Sequence, residues 1–172
     1  MGSMTFPELF LLEFDEEMPS TRRMLERVPE HSFAWKPHEK SMTLGRLASH
    51  IADLPMRCVS IVSVDTYVRP ADFKPFQAGS AQDLLERLDA STTQARQALT
   101  SLRDDQLDVT WSMQMNGRTM ASMPRALALR RIFLDHLIHH RGQLSVFLRL
   151  LDVPIPGMYG PSADDAATFA TR

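Results

Sequence analysis

Cysteine is nearly absent from this chain. Cys58 is the only one among 172 residues, which excludes an intrachain disulfide and every cysteine-type zinc motif. Long apolar runs are absent too: none approaches the ~18 residues of a membrane-spanning helix. No charged start followed by an apolar core reads as a secretory signal. Lysine and arginine form no cluster, and the formal net charge is -2, so the electrostatic footprint of a nucleic-acid binder is missing. The expectation is a cytoplasmic protein that engages neither membrane nor nucleic acid. The length suits one domain with a sizeable core. That domain is taken as residues 4–172, because Met1-Gly2-Ser3 ahead of Met4 reads as a tag remnant.

What is present is helical periodicity. Phe6 to about Val28 reads as a first helix, with Pro7 in its first turn and Pro19 as a kink point. A second helix is expected from an N-cap at Thr43 to about Ser63, bent at Pro55. Val68 to Gly79 reads as a crossover loop. Ser80, with Asp83 at capping-box spacing, opens a third helix that closes near Asp104 to Gln106. Alternation from Val109 to Met120, interrupted by Asn116-Gly117, signals a hairpin. A fourth helix runs from about Ser122 to Leu151, with Pro124 in its first turn. Pro154 to Pro161 reads as packed coil, and Ser162 onward as a frayed end. The predicted fold is all-α: a four-helix bundle with a small β-hairpin before the last helix.

The most informative stretch is Asp135-His136-Leu137-Ile138-His139-His140-Arg141-Gly142-Gln143-Leu144. His136 and His140 are one helical turn apart, so both imidazoles leave one face and can close on one cation. That face is apolar, continued by Leu129, Phe133, Leu144, Phe147 and Leu151. An imidazole in place of leucine costs stability unless something binds it. A His-x-x-x-His pair there points to a divalent metal, the alternative being core histidines satisfied by hydrogen bonds. Leu137 stands where the zincin protease motif has its glutamate, so that mechanism has no base here. His139 points about 100° away around the helix. His31 and His38 fall in a turn-rich loop and read as exposed. His50 lies on the inward face of the second helix, between Leu47 and Leu54, and is the candidate third ligand. A buried histidine bonded to a backbone carbonyl is its other reading. His50, His136 and His140 would form a three-histidine site with coordination positions left open.

Trp35-Lys36-Pro37, Met42-Thr43-Leu44-Gly45-Arg46-Leu47-Ala48-Ser49-His50-Ile51, the segment from His136 to Leu144 and that from Val153 to Ser162 together resemble the DinB family, the DinB/YfiT-like metalloenzymes, over nearly the whole chain. The resemblance implies an up-down-down-up order of four helices, which the long crossover at Val68 to Gly79 permits. It implies a divalent metal, often zinc or nickel, on three histidines that match His50, His136 and His140. Homodimers are frequent in such a family, and 44% hydrophobic residues with 11 Met support that expectation. Characterised relatives imply S-transferase activity with low-molecular-weight thiols such as bacillithiol or mycothiol, or thiol-dependent isomerisation.

A three-histidine metal with an open position lowers the pKa of a bound thiol or water, or polarises a substrate oxygen. The chain offers no nucleophile of its own, since Cys58 reads as a small core residue. An exogenous low-molecular-weight thiol and a small-molecule electrophile are therefore the expected partners of a metal-dependent S-transferase or isomerase. Two alternatives stay open: a metal-dependent hydrolase using metal-bound hydroxide, and a non-catalytic metal- or ligand-binding stress protein. A hydrolase usually wants a carboxylate base, and Asp53, the one candidate near His50 in sequence, lies off the inward face. Gln143 is a candidate contact to substrate or to the metal's water. Arg141 is a candidate for a substrate carboxylate, with a surface ion pair as its other reading. Asp135 is a candidate partner for an imidazole N–H. Tyr159 is expected either across the pocket mouth or packed on the tail.

Overall fold

A computed structural model of the chain describes residues 4–165. The expected tag remnant Met1-Gly2-Ser3 and the part of the frayed end beyond Asp165 lie outside the described residues.

Caps set where the helices start. Thr5 and Glu8 exchange hydrogen bonds in a capping box that opens α1 (Phe6–Leu25). Pro19 sits inside α1 without breaking it. Thr43 accepts from the Arg46 N–H and caps α2 (Leu44–Asp53). The second helix, expected to bend at Pro55 on its way to Ser63, is in fact two, because α3 (Pro55–Ser63) begins afresh after Leu54. Pro55 has no N–H for the carbonyl one turn back, and its ring crowds that carbonyl. Ser80 and Asp83 form the expected capping box at α4 (Ala81–Thr100). The last helical run is compound: α5 (Arg125–Ala128), a π-helical stretch (Leu129–Leu134) and α6 (Asp135–Leu150). It starts later than Ser122, since residues 122–124 belong to a strand.

The strands are β1 (Thr66–Val68), β2 (Thr110–Met115) and β3 (Arg118–Pro124). Asn116 and Gly117 take φ of 50° and 72°, the left-handed pair that a tight two-residue hairpin turn requires. The hairpin does not stand alone. β1 lies parallel to β2, with Tyr67 opposite Met113, so the sheet is mixed and ordered β1-β2-β3. The isolated hairpin, and the crossover loop beginning at Val68, are both corrected by this third strand. Three residues are too few for periodicity to register, and the partner strand is remote in sequence.

The protein is mostly helical, and the helices share one apolar core. α3 and α1 pack on α4, and α2 packs on both α4 and α6. Phe133 joins the π-helical stretch to α1, with ring centroids 6.4 Å from Phe10 and 5.9 Å from Phe14. The sheet docks through buried Trp111, whose indole N–H donates to the Ser60 carbonyl at 3.4 Å. Among the described residues, no helix is long and apolar enough to cross a membrane.

A buried polar clamp ties α6 to α1. Arg141 is 0% exposed and pairs with Glu17 at 2.5 Å. It also donates to the Glu17 carbonyl and to Thr21 Oγ1, both at 3.1 Å, and to the Tyr159 hydroxyl at 2.8 Å. Tyr159 in turn donates to Glu17 Oε1 at 2.8 Å. Removing one partner of a buried ion pair leaves an uncompensated charge. Arg141→Ala should therefore cost about 3–5 kcal/mol, read by denaturant unfolding. Arg141→Met combined with Glu17→Gln should cost less than the sum of the two single changes. Additive costs would show that the pair is not coupled.

Candidate metal centre

His50 lies in the last turn of α2, while His136 and His140 stand one turn apart on α6. Packing of α2 against α6 brings the three rings together, with centroids 4.6 Å to 5.1 Å apart. His50 Nε2 is 3.1 Å from His136 Nε2, and His136 Nε2 is 2.8 Å from His140 Nε2. One nitrogen from each of the three histidines falls within 4.8 Å of the others. The structure thus brings together the three histidines that the sequence singled out. His139 is exposed and outside this cluster, stacked edge-on to His140 at 5.0 Å. His31 and His38 are exposed in the loop.

Burial is the main cause of the electrostatics. It lowers the His50 pKa to about 3 and the His136 pKa to about 4, with the neighbouring imidazoles adding to the fall. His140 is lowered as well, again chiefly by burial. Positive charge on Arg46 and Arg57 pushes in the same direction at His50. At neutral pH all three rings are therefore neutral, the form that ligates metals.

Gln143 fixes one ring. Its Oε1 lies 2.7 Å from His140 Nδ1, so the His140 proton sits on Nδ1 and its Nε2 turns a lone pair toward the other two histidines. Gln143, the candidate contact to substrate or to the metal's water, thus lies directly against a cluster histidine and orients it. The donor set suits a metal cation: three neutral imidazole nitrogens converge. Lone pairs facing one another at 2.8–3.1 Å repel unless a proton or a Lewis acid lies between them.

The remaining candidates are placed elsewhere. Arg141 reaches neither a surface carboxylate nor this cluster, being locked in the clamp on α1. Its burial was signalled by Leu137, Leu144 and Leu148, which share its side of α6 and are all buried. Tyr159 has an exposed ring with its hydroxyl tied into the same clamp. Asp135 is half-exposed and lies 3.8 Å from Arg130, with no imidazole partner shown. Asp53 accepts from Arg87 Nε at 2.8 Å. Cys58 is fully buried, and burial pushes its thiol pKa up. Sequence inspection passed over Arg46 and Arg57, four residues before and seven after His50, the spacing that returns side chains to one helical side.

The profile of the DinB family matches residues 1–172. The chain belongs to the DinB family. It is 27% identical over 163 residues to YrdA of Bacillus subtilis (strain 168), covering 93% of this chain and 92% of YrdA. A solved DinB-like protein of Bacillus cereus ATCC 10987 is similar at a TM-score of 0.69 and 26% identity, covering 87% of this chain and 95% of that one. The solved DinB-like protein YjoA of Bacillus subtilis shares the fold, with a TM-score of 0.65 and 20% identity over 86% of this chain and 96% of that one.

The depressed histidines make a stability prediction. Unfolded histidine titrates near 6.5, while folded His50 and His136 titrate at about 3 and about 4. Between those values the unfolded chain binds more protons, so stability falls as pH falls. The melting midpoint of metal-free protein should drop between pH 7 and pH 5, and more shallowly in His50→Gln. Equal slopes for the two proteins would contradict burial of neutral His50.

Proposed function

We propose that this DinB-family protein holds one divalent ion, zinc or nickel, on His50, His136 and His140, and transfers or isomerises a small electrophile with the help of an added low-molecular-weight thiol. The single observation that carries this reading is the convergence of three neutral imidazole nitrogens from two distant helices. When bound, the ion would stabilise a thiolate at neutral pH.

The chain's own residues support thiol chemistry over hydrolysis. Cys58 is buried and held protonated, so it supplies no nucleophile. Asp53, the carboxylate that lines the cavity beside His50, is committed to Arg87. A hydrolase usually wants a free carboxylate base beside the metal. Gln143 keeps the His140 lone pair aimed inward. In transfer, the thiol gives up its proton, a sulfur–carbon bond forms, and the displaced group leaves with the electron pair of the broken bond. A hollow of about 370 Å³, lined by Met56, Val59, Val64 and Tyr67, shares Arg57 and Phe73 with the smaller cavity that His50 lines and offers room for the electrophile next to it.

The same proposal takes residues 4–172 as one domain in a cytoplasmic setting, with the helices in the up-down-down-up bundle order that the family resemblance implies. It includes a homodimer. Leu9 and Leu12 on α1, and Val146 and Leu150 on α6, are more than half exposed, which supports an apolar contact between copies.

Protein purified without chelator or nickel resin should carry about one divalent ion per chain, and His136→Ala or His140→Ala should lose it while keeping a cooperative melt. Adding 2-mercaptoethanol should shift the visible spectrum of the cobalt-loaded protein. An unchanged spectrum, together with cleavage of simple esters, would replace this function with the hydrolase.

A further inference from the structure

Beside His50 lies a cavity of about 190 Å³, lined by Arg46, Arg57, Arg69, Asp53 and Phe73 among others. Its charge is unusual. Asp53 is already neutralised by Arg87. Arg46, Arg57 and Arg69 form no ion pair among the described residues. All three are half-buried, where like charges repel more than they would in open water.

Weak, uncharged contacts hold two of them in place. Arg57 Nη1 rests 3.9 Å from Met113 Sδ, and Arg69 Nη1 rests 3.7 Å from Met115 Sδ. The Arg69 guanidinium also lies 4.3 Å above the Phe73 ring centroid. Thioethers are poor acceptors, so these contacts position the guanidiniums and leave their charge and most of their N–H groups unmatched. The β1–β2 pairing reinforces the placement, since the Arg69 N–H donates to the Gln114 carbonyl at 2.9 Å.

We propose that this arginine-lined cavity binds a compact oxyanion group of the substrate, carboxylate or phosphate. Guanidinium forks recognise both groups through paired hydrogen bonds, and a small cavity walled by like charges concentrates the field on its contents. Because His50 lines the same cavity, a molecule anchored there lies against one of the three clustered histidines. The assignment rests on the thiol reading above only in taking that molecule to be the thiol or its electrophile; the oxyanion site itself stands on the arginines.

Calorimetric titration of the protein in low-chloride buffer tests the site with four probes: succinate, inorganic phosphate, neutral succinamide and mercaptosuccinate. Succinate or phosphate should bind at least tenfold more tightly than succinamide, and which of the two does so names the oxyanion. Arg57→Gln and Arg69→Gln should each weaken that binding about tenfold, the loss of one charge-assisted contact, with metal content and far-UV circular dichroism unchanged. Arg118→Gln, an exposed arginine on the hairpin, should leave it as it was. Equal binding of succinate, phosphate and succinamide, or indifference to both arginine changes, overturns the oxyanion site. The thiol reading fails separately. If mercaptosuccinate binds no more tightly than succinate and leaves the cobalt spectrum unchanged, the arginine site stands without thiol chemistry. If 2-mercaptoethanol shifts the spectrum while the oxyanions show no preference, the reverse holds.

Discussion

Three neutral imidazoles with their Nε2 atoms drawn together are the constraint around which this fold is arranged. Desolvating them has a cost, visible in the fall of His50 to about 3 and His136 to about 4, and helix propensity does nothing to offset it. The geometry survives because the elements carrying the rings are fixed from other directions. Leu47, Ile51 and Leu54 bury the inward side of α2 and the residue after it. Arg141 pins α6 to α1 one residue beyond His140. Pro55 ends α2 shortly after His50, so His50 sits in a final helical turn, where the helix dipole favours a positive charge. A cation at the cluster agrees with that dipole, whereas a proton is kept off by the burial.

The histidine cluster was legible because two periodicities carried it. His136 and His140 repeat at one turn on an apolar stripe, and His50 occupies a leucine-like slot between Leu47 and Leu54. Bundle-like packing of inward faces then leaves few places for them to go except toward one another. Arg141 was misjudged because α6 buries more than one side. Leu137, Arg141, Leu144 and Leu148 form a second buried row facing α1, and a charged residue in such a row must find a partner from a remote element. Glu17 is that partner, 124 residues away, and no local pattern pairs the two.

The sheet was half legible for a similar reason. Asn116-Gly117 announces its hairpin locally, through the left-handed turn those residues adopt cheaply. β1 has no such signal. Its three residues pair in parallel with a strand that follows an entire helix later, and parallel pairing needs no turn residue to mark it. The π-helical stretch before His136 is equally silent in composition, although such stretches recur next to functional side chains. The non-local strand pairing that escaped the sequence is also what sets Arg69 beside Met115.

These two halves meet at His50, which belongs both to the histidine cluster and to the arginine-lined cavity. A dication on the cluster would add positive charge next to three arginines that already lack counter-ions. With no anion nearby, that repulsion would weaken metal binding. An oxyanion in the cavity would remove it, and linkage requires the effect to be mutual: the anion tightens the metal, and the metal tightens the anion by the same factor. The arginines would then do more than anchor one end of a substrate. They would make a full complement at the cluster depend on an anion in the cavity beside it.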